Sequence, residues 1–167
     1  ISDENGSTID VGIRGEINNW FSFEITQFNL LYNDRIGFSQ KEFIDGSVKS
    51  ERGNVGDAHI YGLESNVDMD INNLTIKNDN MSLNLFLNTA IIDSRYKRSS
   101  INGVKGKKVE FVPKLNIKTG VKYGFDNFIF NLQYSYMSKQ FSDATNAIEG
   151  NISGIIGEIP EYNLLDF

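Results

Sequence analysis

The sequence predicts an all-β fold: a fragment of an antiparallel transmembrane β-barrel. Three observations support this. Apolar and polar residues alternate along extended segments, short turns alternate in order with long polar loops, and the candidate strands are long. Globular strands usually have ~5–6 residues, whereas these run for roughly 11 to 20, more than enough for a tilted strand to cross a bilayer.

The composition excludes several classes of protein. Of the 167 residues, 40% are hydrophobic and 23% are charged, which is typical of a folded protein rather than a disordered one. The chain contains no cysteine, so disulfides, thiolate metal sites and a cysteine nucleophile are excluded. The net charge of −6 argues against a nucleic-acid partner. No run approaches the ~20 apolar residues of a transmembrane helix.

Seven strands with alternating short and long connections are expected. The predicted strands are Ser7–Ile17, Trp20–Gln40, Ala58–Ile71, Met81–Lys97, Glu110–Phe125, Phe128–Ser142 and a last strand that begins at Tyr162. The short turns are Asn18-Asn19, Asn72–Asn80 and Asp126-Asn127, and the long loops are Lys41–Asp57, Arg98–Val109 and Asp143–Glu161. This order predicts a meander with its turns at the periplasmic end and its long loops outside the cell.

The second predicted strand has a change of parity. Its first apolar residues, from Phe21 to Ile25, occupy odd positions, whereas Phe28, Leu30 and Tyr32 occupy even ones. A β-bulge near Gln27 is expected to bring both sets to one face. Phe111 is expected on the lipid-facing side of strand five, and Phe86, on the polar side of strand four, is the least explained aromatic residue.

Aromatic residues are expected to form girdles at both ends of a lipid-facing surface. Trp20, Phe21, Phe125 and Phe128 flank the short turns, and Tyr32, Tyr96 and Tyr136 lie towards the long loops. The alternative is a soluble β-sandwich with unusually long strands, which would show the same alternation.

Several short motifs resemble those of TonB-dependent outer-membrane receptors, above all the ferric-citrate and siderophore receptors. The matching stretches are residues 9–15 (IDVGIRG), 28–36 (FNLLYNDRI), 54–56 with 61–64 (NVG and YGLE), 112–114 (VPK), 141–146 (FSDATN) and 157–162 (GEIPEY). The resemblance implies a plugged barrel of about 22 strands. Residues 1–167 would supply about seven of these strands as one partial barrel domain, without the plug, the energy-coupling box or the last strands.

The resemblance also implies a function and partners. An outer-membrane receptor of this kind binds a ferric chelate and imports it with TonB energy coupling, through an inner-membrane protein that acts on the plug. No enzyme activity, cofactor or resident metal is expected, and outer-membrane lipid or lipopolysaccharide is an expected partner. Another cargo (cobalamin, a glycan or a peptide) and a non-transporting binding or adhesion barrel stay open as alternatives, and an outer-membrane protease or lipase is the third class.

Polar residues, mostly cations, in the predicted extracellular loops and at their rim are the candidate ligand-binding residues, since they would attract an anionic chelate. They are Arg52, Asn54, Arg95, Lys97, Arg98, Lys105, Lys107 and Lys108, with Asn54 as the uncharged member. Binding of lipopolysaccharide phosphates and simple solvation stay open as alternatives for the cluster from Lys97 to Lys108. The lone His59 has no evident ligand partner for a metal. The carboxylates Glu64, Asp68 and Asp70 are expected to meet water or plug rather than to perform acid–base catalysis.

Overall fold

The computed structural model describes residues 1–44, 46–150 and 156–167, which form an antiparallel meander of seven strands. This confirms the predicted fold class. The strands of the main sheet are β1 (Asn5–Ile17), β2 (Phe21–Glu42), β3 (Val48–Asp70), β4 (Met81–Arg98), β5 (Leu115–Phe125), β6 (Phe128–Met137) and β9 (Tyr162–Asp166). A separate two-stranded pair is formed by β7 (Gln140–Phe141) and β8 (Glu158–Ile159).

The three short connections form where they were predicted. Asn18 and Asn19 both adopt positive φ, 47° and 57°, in the three-residue connection between the paired residues Ile17 and Phe21. Asp126 does the same at the β5–β6 turn, with φ of 49°. Between β3 and β4 the chain forms a π-helical turn, Asn72–Ile76, which ends at Lys77 in the left-handed region.

Other predicted boundaries are wrong. Most of the predicted loop Lys41–Asp57 is strand, because β2 continues to Glu42 and β3 begins at Val48. The two strands stay paired as far as Glu42 and Val48, beyond the region of apolar alternation. Strand β5 begins at Leu115 rather than Glu110, since Pro113 lacks the N–H that a strand interior needs. Strand β6 ends at Met137, and part of the loop predicted at Asp143–Glu161 lies outside the described residues.

The β-bulge predicted near Gln27 is also wrong. The pairing of β2 with β1 and with β3 runs without a shift through Gln27, and the first irregularity lies between Tyr32 and Arg35. There Asp34 has a φ of 51°. Phe28 and Leu30 therefore stay on the face opposite to Ile25.

The two faces of the sheet can now be defined. We call the face that carries Asp10, Glu24 and Glu64 the inner face, and the opposite one the outer face. Along the half of the sheet next to the short turns, the outer face consists of exposed apolar side chains such as Ile13, Leu63, Leu85, Leu87, Ile91 and Phe128.

The buried core lies on the inner face, at the end of the sheet away from the short turns. It consists of Val55, Ala58, Ile60, Tyr96, Val104, Val109 and Ala144. Phe28, Leu30 and Tyr32 pack against this cluster. Tyr32 and Tyr96 are therefore core residues, and the expectation that they belong to a lipid-facing girdle is wrong.

Candidate functional site

A cavity of about 620 Å³ lies on the inner face. Its walls differ in polarity from one end to the other. The polar part is lined by Asp10, Glu24, Thr26, Glu64 and Asn66, and the apolar part by Phe28, Leu30, Ile60, Ile92 and the segment Phe111–Pro113. The concave inner face thus offers several polar groups next to an apolar surface.

Strand register places these side chains together. Thr26 pairs with Glu64, and Glu24 pairs with Asn66, so the polar wall spans β2 and β3. Alternate residues of a strand point to the same face. The even positions of β2 therefore lead from Glu24 through Thr26 to Phe28 along one wall of the cavity.

The segment Phe111–Pro113 covers the apolar end of the cavity. Phe111 has a φ of 58°, and its N–H donates to the Phe141 carbonyl at 2.8 Å. Phe111 thus lies in a turn and lines the cavity, and the expectation that it faces lipid in strand five is wrong. The Val112-Pro113 pair could have indicated from the sequence that strand five begins after Pro113, because proline in sheets is confined to strand starts, edges and bulges.

A buried ionic network fixes this cover to the barrel wall. The Arg35 guanidinium donates to Glu110 Oε1 at 2.6 Å and to the Tyr96 hydroxyl at 2.7 Å, and that hydroxyl donates to Glu110 Oε2 at 2.8 Å. Glu110 is only 1% exposed. Burial, with the adjacent Glu110 carboxylate, raises the pKa of the Tyr96 phenol. Burial alone would lower the pKa of Arg35, but Glu110 and Tyr96 more than offset this and raise it.

The two long connections are joined to each other. Asn146 accepts the N–H of Lys108 at 2.7 Å and donates to the Lys108 carbonyl at 2.9 Å. The N–H of Ala144 donates to the Phe38 carbonyl at 2.8 Å. The segment after β4 and the segment after β7 therefore form one layer on the inner side of β2.

The structure divides the predicted ligand-binding residues into two groups. Four have side chains engaged in contacts: Asn54 with Ser2 and the Asp34 carbonyl, Arg98 with Asp57, Arg95 with Asp93 and the Gly106 carbonyl, and Lys108 with Asp93. The other four, Arg52, Lys97, Lys105 and Lys107, are exposed and have no side-chain contact within the described ranges. Ligand binding by any of the eight stays a prediction.

Two residues that the sequence left unassigned have structural explanations. His59 contacts the Asn29 side chain through Nε2, and its ring lies 4.9 Å from that of Tyr61. Phe86 covers Gly120 on the neighbouring strand, where an added methyl group would lie 2.8 Å from Cε1 of the ring. In residues 1–44, 46–150 and 156–167 no three His, Asp or Glu side chains are placed to hold a metal ion.

The sequence from residue 2 to 167 matches a family model described as "TonB dependent receptor-like, beta-barrel". The chain belongs to the TonB-dependent receptor family. Members of this family are transporters of the outer membrane rather than enzymes, which confirms the predicted location and the absence of an enzymatic role.

Several solved structures have the same fold as this chain. The ferric citrate transporter FecA, in its unliganded form, is 25% identical over 96% of this chain, with a TM-score of 0.74. The ferric yersiniabactin uptake receptor FyuA from Yersinia pestis is 16% identical over 98%, with a TM-score of 0.67. The copper transporter OprC is 14% identical over 97%, with a TM-score of 0.65. The chain spans 22% of FecA, 22% of FyuA and 23% of OprC.

Proposed function

We propose that this chain is part of a receptor that binds a ferric chelate, a siderophore or ferric citrate, and imports it across the outer membrane with TonB energy coupling. The observation that carries the proposal is the likeness to FecA, which extends over 96% of the chain at 25% identity and a TM-score of 0.74. FecA is a ferric citrate transporter. No covalent chemistry is required of this chain, since import needs only binding and release.

The exposed cations are proposed as the groups that attract cargo. Arg52, Lys105 and Lys107 lie in the part of the chain away from the short turns, and their side chains make no contact within the described residues. Cations placed around an entrance raise the local concentration of an anionic ligand and speed its association. A ferric chelate that carries carboxylate groups has the matching charge.

The inner face is proposed to hold the plug, through which an inner-membrane protein would transmit energy. Asp10, Glu24 and Glu64 line the cavity on this face and offer carboxylates to a partner inside the barrel. Coupling would then act by differential binding: one arrangement of plug and wall holds the cargo, and the other releases it.

Uptake of radioactive iron by cells that carry the full-length receptor tests the proposal. Ferric citrate or a ferric siderophore should be imported, and a protonophore should abolish the uptake. The triple variant Arg52→Gln, Lys105→Gln, Lys107→Gln should raise the half-saturating chelate concentration several-fold. Lys77→Gln, next to a short turn at the opposite end of the sheet, is the matched control and should leave it unchanged.

Three results would contradict the proposal. Import that is insensitive to the protonophore excludes energy coupling. Failure to bind any ferric chelate, together with binding of cobalamin, a glycan or a peptide, assigns a different cargo. Binding without import would identify an adhesion or binding barrel instead.

A further inference from the structure

The inner face is divided into two parts of opposite charge in the half of the sheet next to the short turns. The inner positions of β1, β2 and β3 carry mostly carboxylates: Asp10, Glu16, Glu24, Glu64, Asp68 and Asp70, with Arg14 as the one cation. The inner positions of β5 and the residue just before it carry lysines, and those of β4, β5 and β6 carry no carboxylate in this half. An anion inside the barrel is therefore repelled by the first part and attracted by the second.

Three lysines form what we call the lysine column: Lys114, Lys118 and Lys122. Lys114 continues the ladder of β5, because its carbonyl accepts the N–H of Ile92 at 2.9 Å. Lysines four residues apart on one face of a strand are spaced by about 13 Å. The column thus runs down the wall of the barrel, from the cover formed by Phe111–Pro113 to the turn between β5 and β6.

Each lysine within β5 lies between two uncharged side chains that form hydrogen bonds. The neighbours on β4 and β6 are Asn88 and Ser135 for Lys118, and Asn84 and Asn131 for Lys122. The Gln133 amide donates to Ser135 Oγ at 3.2 Å, which leaves the proton of that hydroxyl free to donate to a ligand. Ammonium, amide and hydroxyl groups all donate to the oxygens of a carboxylate. The same kind of anion site therefore occurs twice along the strand.

The ammonium groups of the column are open to a ligand. All three side chains are exposed, and within residues 1–44, 46–150 and 156–167 none of them forms an ion pair or a hydrogen bond. Between Lys118 and Lys122 lies Gly120, which is covered by the Phe86 ring of the neighbouring strand. Because lysine has a long flexible stem and no bulky side chain of β5 separates the two, both ammonium groups can turn towards one ligand.

We propose that the lysine column lines the path along which an anionic ferric chelate moves from the cover to the periplasmic end of the barrel. This inference rests on the proposed import of such a chelate and names the part of the wall that the chelate follows. Two observations favour a moving anion over a fixed partner: the anion sites repeat down the wall, and no carboxylate beside them neutralises the lysines. Repeated sites suit passage, since a ligand must leave each site as readily as it enters it.

Uptake of radioactive iron by cells that carry the full-length receptor tests the path, with ferric citrate and an anionic ferric tris-catecholate as the probes. The variant Lys118→Gln, Lys122→Gln should lower the maximal uptake rate several-fold. It should leave the half-saturating concentration unchanged, because the exposed cations outside the barrel still capture the chelate. Lys118→Arg, Lys122→Arg keeps both charges and should import at nearly the parent rate. Arg14→Gln, the matched control, removes a cation from the acidic part of the inner face and should leave both parameters unchanged.

The heat-modified mobility of the barrel shows that each variant is folded. A parent-like maximal rate in the glutamine variant, or an equal loss in the arginine variant, would overturn the path and leave the receptor function standing. A raised half-saturating concentration at an unchanged maximal rate would make the lysines a capture site instead. Energy-independent entry of a large hydrophilic antibiotic in the glutamine variant would show that the lysines hold an acidic surface of the plug. Import of only a neutral or cationic chelate by the parent would overturn the path alone, whereas import of no chelate would overturn the proposed function as well.

Discussion

The two halves of the sheet have opposite polarity. We call the half next to the short turns the lower half, and the half next to the long connections the upper half. Next to the short turns, the outer face is apolar and the inner face is polar, as Leu85 and Asn84 illustrate on β4. Towards the long connections the arrangement reverses: Asp93 and Arg95 lie outside, while Ser94 and Tyr96 are buried inside. The strands keep a regular alternation through the reversal, because the register of β3 with β4 is unbroken from Asp70 to Ala58.

The difference shows that the alternation of apolar and polar residues depends on what lies against each face of the sheet. The apolar residues therefore do not mark the lipid-facing side along the whole strand. In the lower half, lipid lies outside and polar contents lie inside, so the apolar parity points outward. In the upper half, water lies outside and the chain folds its own segments against the inner face, so the apolar parity points inward. On β2 the change falls at Phe28, where a bulge was expected.

Removal of Glu110 should have the largest effect, and it should be confined to the upper half. Glu110→Ala would leave Arg35 largely buried without its carboxylate, which costs about 3–5 kcal/mol. We expect the segment from Ser99 to Phe111 to open, as measured by hydrogen exchange of its amides in the full-length receptor. Glu51→Ala is the control, since it breaks an exposed cross-strand pair with Lys41. Equal effects of the two changes would show that the buried network does not hold the cover.

A charge placed on the outer face of the lower half should have the second-largest effect on stability. Leu85→Arg places a cation near the bilayer midplane and should destabilise the barrel by ~2–4 kcal/mol. Asn84→Arg, one residue away on the inner face, should be tolerated. Unfolding in lipid vesicles measures both, and a larger loss from Asn84→Arg would mean that the two faces are assigned the wrong way round.

Loss of the Phe86 ring should have a smaller effect in the lower half. The ring covers Gly120 on the polar inner face, and cross-strand pairs of this kind contribute up to about 1 kcal/mol. Phe86→Ala should destabilise by about this amount, whereas Phe86→Leu should recover part of it. Unchanged stability of Phe86→Ala in the vesicle assay would show that the ring does not stabilise the pair.

Alkaline pH should loosen the upper half alone. The folded state raises the pKa of Tyr96, so its stabilising contribution is complete below the ordinary tyrosine pKa of about 10 and is lost as the pH rises above it. Protease cleavage within residues 99–114 should accelerate above that pH in the parent. Tyr96→Phe should show a shallower dependence, and an identical pH profile would exclude this tyrosine as the titrating group.

Much of the fold could be predicted because it depends on local chemistry. The asparagines at 18 and 19 tolerate positive φ, and the alternation from Met81 to Ile91 fixes both the strand and its lipid-facing side. The meander then follows from the order of the turns. The candidate loop after Lys97 also follows, because its polar and glycine residues lack strand periodicity.

The upper half was less predictable because it depends on contacts between distant segments. Glu110 meets Arg35 across 75 positions, and nothing near either residue in sequence indicates that pairing. The even-numbered apolar residues of β2 were assigned to lipid because the cover that buries them lies far along the chain. The site residues were chosen by charge or polarity and by position near the predicted loops, which cannot tell a cation at the outer rim from one directed at cargo.

Exposure to lipid along β2 tests the reversal of polarity most directly. The chain has no cysteine, so single spin labels can be attached at Ile25, Phe28 and Leu30 without a competing thiol in this segment. In the full-length receptor in lipid vesicles, collision with oxygen should be high at Ile25 and low at Phe28 and Leu30. High oxygen collision at Phe28 and Leu30 would place them in lipid, restore the bulge near Gln27, and contradict the account.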